Sequence, residues 1–153
     1  MGFLCLIGTH TIKCLVFFSI SVFHHFSWIL IVSSKLSTNH DEITSLYETD
    51  SFDDAVGKLV GKVDIAAVTR GADGSVIVTA NEVVEVAAEP VEKVVDTTGA
   101  GDLYAAGVLY GLTQGYELSV AGRIGSICAA EVISHYGARP EVSLMDLVKE
   151  KLG

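Results

Sequence analysis

Positive charge is scarce in this sequence. Ten lysines and arginines face 19 aspartates and glutamates, and none of the acids lies within the first 36 residues. Residues 37–153 therefore carry eight basic side chains and a net charge of −11. That balance argues against nucleic acid as a partner, which needs a basic face. Cysteine is also rare: Cys5, Cys14 and Cys128 are widely spaced and form no C-x-x-C pair. Neither a disulfide framework nor a zinc site follows from them. The five histidines lack H-E-x-x-H spacing, and no G-x-x-x-x-G-K-[ST] phosphate loop is present. No internal repeat or low-complexity tract is visible.

Residues 1–36 differ in kind from the rest. From Cys14 to Ser34 run 21 residues without a charged side chain, between Lys13 and Lys35. Length and flanking lysines fit a membrane span. His24 and His25 near its middle weaken that reading, and the run is long for the apolar core of a targeting peptide. The composition changes abruptly near Lys35, as expected where a start has been placed upstream of a mid-domain exon or where a gene is truncated. Three readings stay open: membrane anchor, targeting peptide, or a stretch foreign to the domain that follows.

The most informative stretch is Asp96-Thr97-Thr98-Gly99-Ala100-Gly101-Asp102. It follows the apolar pair Val94-Val95 and precedes a helix-like run from Leu103 to Leu112. A glycine-rich turn opening a helix is an anion site, because free N–H groups and the positive end of the helix dipole point the same way. Glycines let the backbone approach a phosphate closely. Asp102, favoured in its ionised form by the same dipole, can take a proton from an attacking hydroxyl. Cradle and base together are what phosphoryl transfer needs. The dinucleotide fingerprint fits less well, since Tyr104 stands where its third glycine belongs.

This heptad resembles the second signature of the PfkB family, the ribokinase-like sugar and nucleoside kinases. Val68-Thr69-Arg70-Gly71-Ala72-Asp73-Gly74-Ser75 resembles the family's strand and turn next to the nucleotide. Gly137-Ala138-Arg139-Pro140 resembles the segment that closes the nucleotide site, and Asn39-His40-Asp41-Glu42 resembles its N-x-x-E motif. Residues 37–153 look like the C-terminal part of such a kinase, without the N-terminal half that grips the acceptor.

The resemblance implies an α/β, three-layer ribokinase-like fold, truncated, with helices on a mainly parallel sheet. It implies transfer of a phosphate from ATP to a hydroxyl of a sugar or nucleoside, in the cytoplasm, with Leu103-Tyr104-Ala105-Ala106-Gly107 closest to adenosine-kinase-like members. Asp102 becomes the general base, and Gly99, Ala100 and Gly101 the donors for charge on the transferred phosphate. Thr69 and Gly71 would line the nucleotide. Ser126, Cys128 and Ala129 lie on the helix that packs against adenine, with core packing as the competing explanation. Asn39 and Glu42 would organise Mg²⁺ and phosphate, although N-x-x-E is equally a helix capping box. Asp96 and Thr98, with carbonyls near Gly137, would hold a monovalent cation such as K⁺; a local turn bond from Asp96 is the simpler alternative. With most of the acceptor site missing, impaired catalysis is expected. The alternative is a non-catalytic nucleotide-binding or interaction fragment. Oligomeric state is open.

Helices are predicted over 39–47, 51–62, 101–114, 118–135 and from Ser143, and strands over 64–69, 75–79, 83–87 and 93–96.

Overall fold

Capping chemistry starts three of the helices where the sequence places them. In the computed structural model, which describes residues 7, 8, 11, 12 and 35–153 with side chains from residue 37 onward, Asn39 opens α1 (His40–Leu46) through a reciprocal capping box with Glu42. Ser51 accepts from the Asp54 N–H to open α2 (Phe52–Gly57), and Ser143 does the same with Asp146 for α5 (Leu144–Leu152). Strands β1 (Ile7–Gly8) and β2 (Thr11–Ile12) form a two-stranded antiparallel pair. The other sheet has the order β3 (Lys35–Asn39), β4 (Ile65–Thr69), β5 (Ser75–Thr79), β6 (Val83–Val86). Strands β5 and β6 are joined by three residues, a link that only antiparallel neighbours allow. The α/β expectation holds. The stretch 14–34, read as apolar, lies outside the described residues, and among the described residues no helix is long and apolar enough to cross a membrane.

The chain divides into two compact units. The first comprises residues 1–68 and 78–83. Its helices bury Ile43, Ala55 and Val56, the turn after α2 buries Leu59, and β4 buries Ala66, Ala67 and Val68. Helix α2 ends at Gly57 instead of running on to Lys62. Gly57, Val60 and Gly61 are poor helix formers, and the chain leaves through two short turns, Leu59 N–H to Val56 O and Lys62 N–H to Leu59 O. The segment is held by Tyr47, whose ring receives the ammonium groups of Lys58 and Lys62 at 5.6 and 5.0 Å.

The second unit comprises residues 69–77 and 84–153. It is built on α3 (Ala100–Thr113) and α4 (Leu118–Val132). Their backbones touch. A Cβ on Gly107 would sit 2.7 Å from the Gly125 Cα, and one on Gly111 would sit 2.6 Å from the Ala121 Cα. Such distances leave no room for any side chain. Ile124, Ile127, Cys128 and Val148 close the core beneath α5.

Two expectations fail in this unit. Residues 93–96 are not a strand: the N–H groups of Val95 and Asp96 donate to the Ile133 carbonyl at 2.8 and 3.4 Å, so they join no ladder. Helix α4 stops at Val132, three residues early. There the amide and hydroxyl of Ser134 both take the Glu131 carbonyl, at 3.1 and 2.6 Å, and close the last turn.

The helix crossing gives a contrast to measure. Gly107→Ala drives a methyl into backbone and is expected to cost at least about 1–3 kcal/mol, the range for overpacking. Gly57→Ala has open space around it and is expected to stabilise by about 0.5–1 kcal/mol. Urea denaturation of the two variants checks both signs; equal behaviour contradicts the close crossing.

Candidate functional site

Gly99 holds the N-cap of α3 in the left-handed region, with φ of +83°, and no side chain caps the helix. A Cβ there would also meet the Ala138 Cβ at 2.8 Å, so the position needs glycine twice over. The first turn bonds through Ala100 N–H to Thr97 O and Leu103 N–H to Gly99 O. That leaves the N–H groups of Gly99, Gly101 and Asp102 with no acceptor among the described residues. Three free donors at a helix N-terminus form an anion cradle. The Asp102 side chain is exposed and makes no hydrogen bond or ion pair among the described residues.

Asp96 ties the loop in front of this cradle. Its Oδ1 accepts from the Thr98 hydroxyl at 2.6 Å and the Thr98 amide at 2.9 Å, and its Oδ2 accepts from the Gly137 amide at 3.0 Å. The Thr98 hydroxyl first, then the two amides, hold the Asp96 carboxyl below the usual carboxylate range. Behind Gly137 lies a second clamp. Glu131, with a side chain 7% exposed, accepts from the Glu141 amide at 2.8 Å and contacts His135 Nε2 at 3.2 Å. Partial burial pulls the His135 ring down, and the Tyr136 carbonyl, Glu131 and Glu141 outweigh it, so its pKa is raised.

A cavity of about 630 Å³ opens beside the cradle. One wall is Thr69, Gly71, Ala72 and Gly74; a second is Ala88 to Val91 with Val94; a third is Thr97, Ala100, Gly101 and Tyr104; the fourth is Ser126, Ala129 and Ala130 of α4 with Ile133 just after it. The structure thus brings together six of the residues singled out in the sequence: Thr69, Gly71, Ala100, Gly101, Ser126 and Ala129. Gly99, Asp102, Asp96 and Thr98 lie on the loop and turn that carry Ala100 and Gly101. Ser126 also has a packing role, with Oγ accepting from the Glu89 N–H at 2.7 Å and donating to the Ala87 carbonyl at 3.3 Å. Cys128 lies in the core. Glu89 and Ile133 line the cavity without any motif to announce them, and Tyr104, quoted only within the run Leu103–Gly107, lines it too. Tyr104 is fixed by a buried bond from its hydroxyl to Ser75 Oγ at 2.7 Å.

Asn39 and Glu42 belong to the first unit, where they complete the capping box: Glu42 N–H donates to Asn39 Oδ1 at 2.8 Å, and Glu42 Oε2 accepts from the Asn39 amide at 3.2 Å and the Thr38 hydroxyl at 3.0 Å. Among the described residues no three His, Cys, Asp or Glu side chains group to hold a metal ion. Mg²⁺ bound chiefly through phosphate oxygens and water needs only one or two carboxylates, and the exposed Asp102 meets that demand. Cavity volume and free N–H groups likewise fit a nucleotide triphosphate.

The family model for the pfkB family carbohydrate kinases matches residues 30–144, and the chain belongs to that family. It is 41% identical over 102 residues to an uncharacterized sugar kinase of Archaeoglobus fulgidus, covering 66% of this chain and 40% of that protein. Its structure is similar to the adenosine kinase from Sinorhizobium meliloti, with a TM-score of 0.76 and 44% identity over 78% of this chain and 36% of that one. It is also similar to an Arabidopsis thaliana ribokinase complexed with ribose and ATP, with a TM-score of 0.67 and 27% identity over 76% of this chain and 41% of that one. The chain spans well under half the length of each.

The two clamps titrate in opposite senses. Asp96, depressed in the fold, stabilises fully above the ordinary carboxylate pKa of about 3.9, and that stability is lost as pH falls through its folded value. His135, raised in the fold, stabilises fully below about pH 6.5, and that contribution is lost as pH rises through its folded value. Melting temperature against pH is expected to fall less steeply on the acid side in Asp96→Asn than in the parent, and less steeply on the alkaline side in His135→Gln. Parallel curves contradict these pairings.

Proposed function

We propose that this chain carries the nucleotide side of a PfkB-type kinase, transferring the γ-phosphate of ATP to a hydroxyl of a sugar or nucleoside. The observation that carries it is the set of free N–H groups at Gly99, Gly101 and Asp102, set beside the cavity with an unpaired carboxylate on the same turn. The cradle would face the phosphates, and each donor of that kind is worth about 10²–10³-fold in rate. Asp102 would accept the proton of the attacking hydroxyl as its oxygen bonds to the γ-phosphorus and ADP leaves, a base worth about 10²–10⁴-fold. Thr69 and Gly71 would meet the nucleotide on one wall, and Ala129 the purine on another. Mg²⁺ would offset the phosphate charge, held chiefly by phosphate oxygens and water. A monovalent cation would sit by Asp96 and Thr98, with carbonyls near Gly137 completing the site; the bond from the Gly137 amide to Asp96 Oδ2 supports this reading.

A second reading is a binding-only role: the cradle and cavity supply nucleotide contacts, and a nucleotide half-site binds without turning over an acceptor. Calorimetry is expected to show ATP binding by this chain, with slow or absent phosphorylation of ribose, fructose or adenosine. In a full-length relative with the same seven residues, the substitution equivalent to Asp102→Asn is expected to lower phosphoryl transfer at least about 10²-fold and to leave ATP affinity nearly unchanged. Unaltered turnover contradicts the base; absence of ATP binding contradicts the site.

A further inference from the structure

Glu89 is the only charged residue among the described residues lining the cavity. It is held at both ends. Its N–H donates to Ser126 Oγ at 2.7 Å, and its Oε1 accepts from Lys151 Nζ at 2.8 Å. Its side chain is only 13% exposed, against 40% for Lys151. Lys151 is itself placed by α5, where its carbonyl accepts from Arg123 Nη2 at 3.1 Å. A lysine on the last helix thus fixes the carboxylate of a residue that lines the proposed nucleotide site.

An ionised carboxylate accepts hydrogen bonds and donates none. Set against the phosphates it would repel them, and the phosphates already have the cradle at the start of α3. The rest of a purine nucleotide offers two kinds of donor, the ribose hydroxyls and the exocyclic amine. We infer that Glu89 is a specificity-determining residue of the nucleotide site, accepting a hydrogen bond from a donor on the nucleoside portion, and that Lys151 is the positioning residue that aims it. This rests on the proposal that the cavity takes ATP. A bond to a charged acceptor is lost when the ligand lacks the donor, and the cost falls on that ligand alone.

The full chain, Glu89→Leu and Lys151→Met are titrated with three probes: ATP, 2′,3′-dideoxy-ATP, which lacks both ribose hydroxyls, and the triphosphate of unsubstituted purine riboside, which has no exocyclic amine. The parent is expected to bind one analogue about 10- to 100-fold more weakly than ATP. Loss with the dideoxy compound assigns a ribose hydroxyl, and loss with the other assigns the amine. Glu89→Leu is expected to bind ATP and that analogue equally. Lys151→Met, which keeps the carboxylate and removes its anchor, is expected to shrink the ratio several-fold; a purely structural lysine would weaken all three ligands alike and leave the ratio unchanged. If Glu89→Leu does not fold, the Lys151→Met ratio decides. Equal binding of all three probes by the parent overturns the inference while leaving the ATP site standing, as does a ratio that survives in Glu89→Leu. Failure of the parent to bind ATP overturns both.

Discussion

The second unit depends on the contact of two helix backbones. Gly107 of α3 lies on Gly125 of α4, and Gly111 on Ala121, with no space for a side chain between them. Two consequences follow. The carbonyl of Tyr104 comes within 2.7 Å of where a Gly125 Cβ would stand, so the first turns of α3 are set directly against the middle of α4. The next residue, Ser126, can then reach the segment after β6 and bind Ala87 and Glu89. Three of the four cavity walls are therefore fixed by one helix crossing. The low side-chain volume at that crossing is a packing requirement that would hold with or without a ligand.

The fourth wall depends on a different glycine. Gly74 has φ of +85°, and a Cβ there would overlap the Val86 carbonyl. The turn from Gly71 to Asp73 is folded tightly against β6 as a result, and Thr69 and Gly71 face the cavity with it. Around the mouth, the ordering groups are carboxylates. Asp96 and Glu131 each accept a backbone N–H from the loop between Tyr136 and Glu141. The loop that lies against Gly99 is thereby held by charge-assisted hydrogen bonds, which are stronger than neutral ones, and by very little apolar burial.

Much of this was legible in the sequence, for stated reasons. Capping residues name their own partners at fixed offsets, so Asn39 with Glu42, Ser51 with Asp54 and Ser143 with Asp146 could be read directly. The Asp96–Asp102 run contains the cradle's glycines, its helix start and its exposed acid within seven residues. Residues 93–96 misled because apolar β-branched residues carry no record of where their N–H groups will bond; theirs go to Ile133, 37 to 38 positions away. Glu89, Tyr104 and Ile133 were missed as cavity residues because each is placed by a partner far off in the chain: Lys151, Ser75 and Val95. The double reading of Asn39 and Glu42 persists. A capping box and a metal-organising pair use the same two residue types at the same spacing, and the observed hydrogen bonds establish the first.

The central claim is that the free N–H groups at the start of α3 receive phosphate. Amide chemical shifts of the ¹⁵N-labelled chain, followed during titration with ATP and Mg²⁺, test it most directly. The account predicts that Gly99, Gly101 and Asp102 show the largest downfield proton shifts, with Ala100 and Leu103 moving less because their N–H groups are already bonded within the turn. Saturable shifts elsewhere with these three amides unmoved would contradict it.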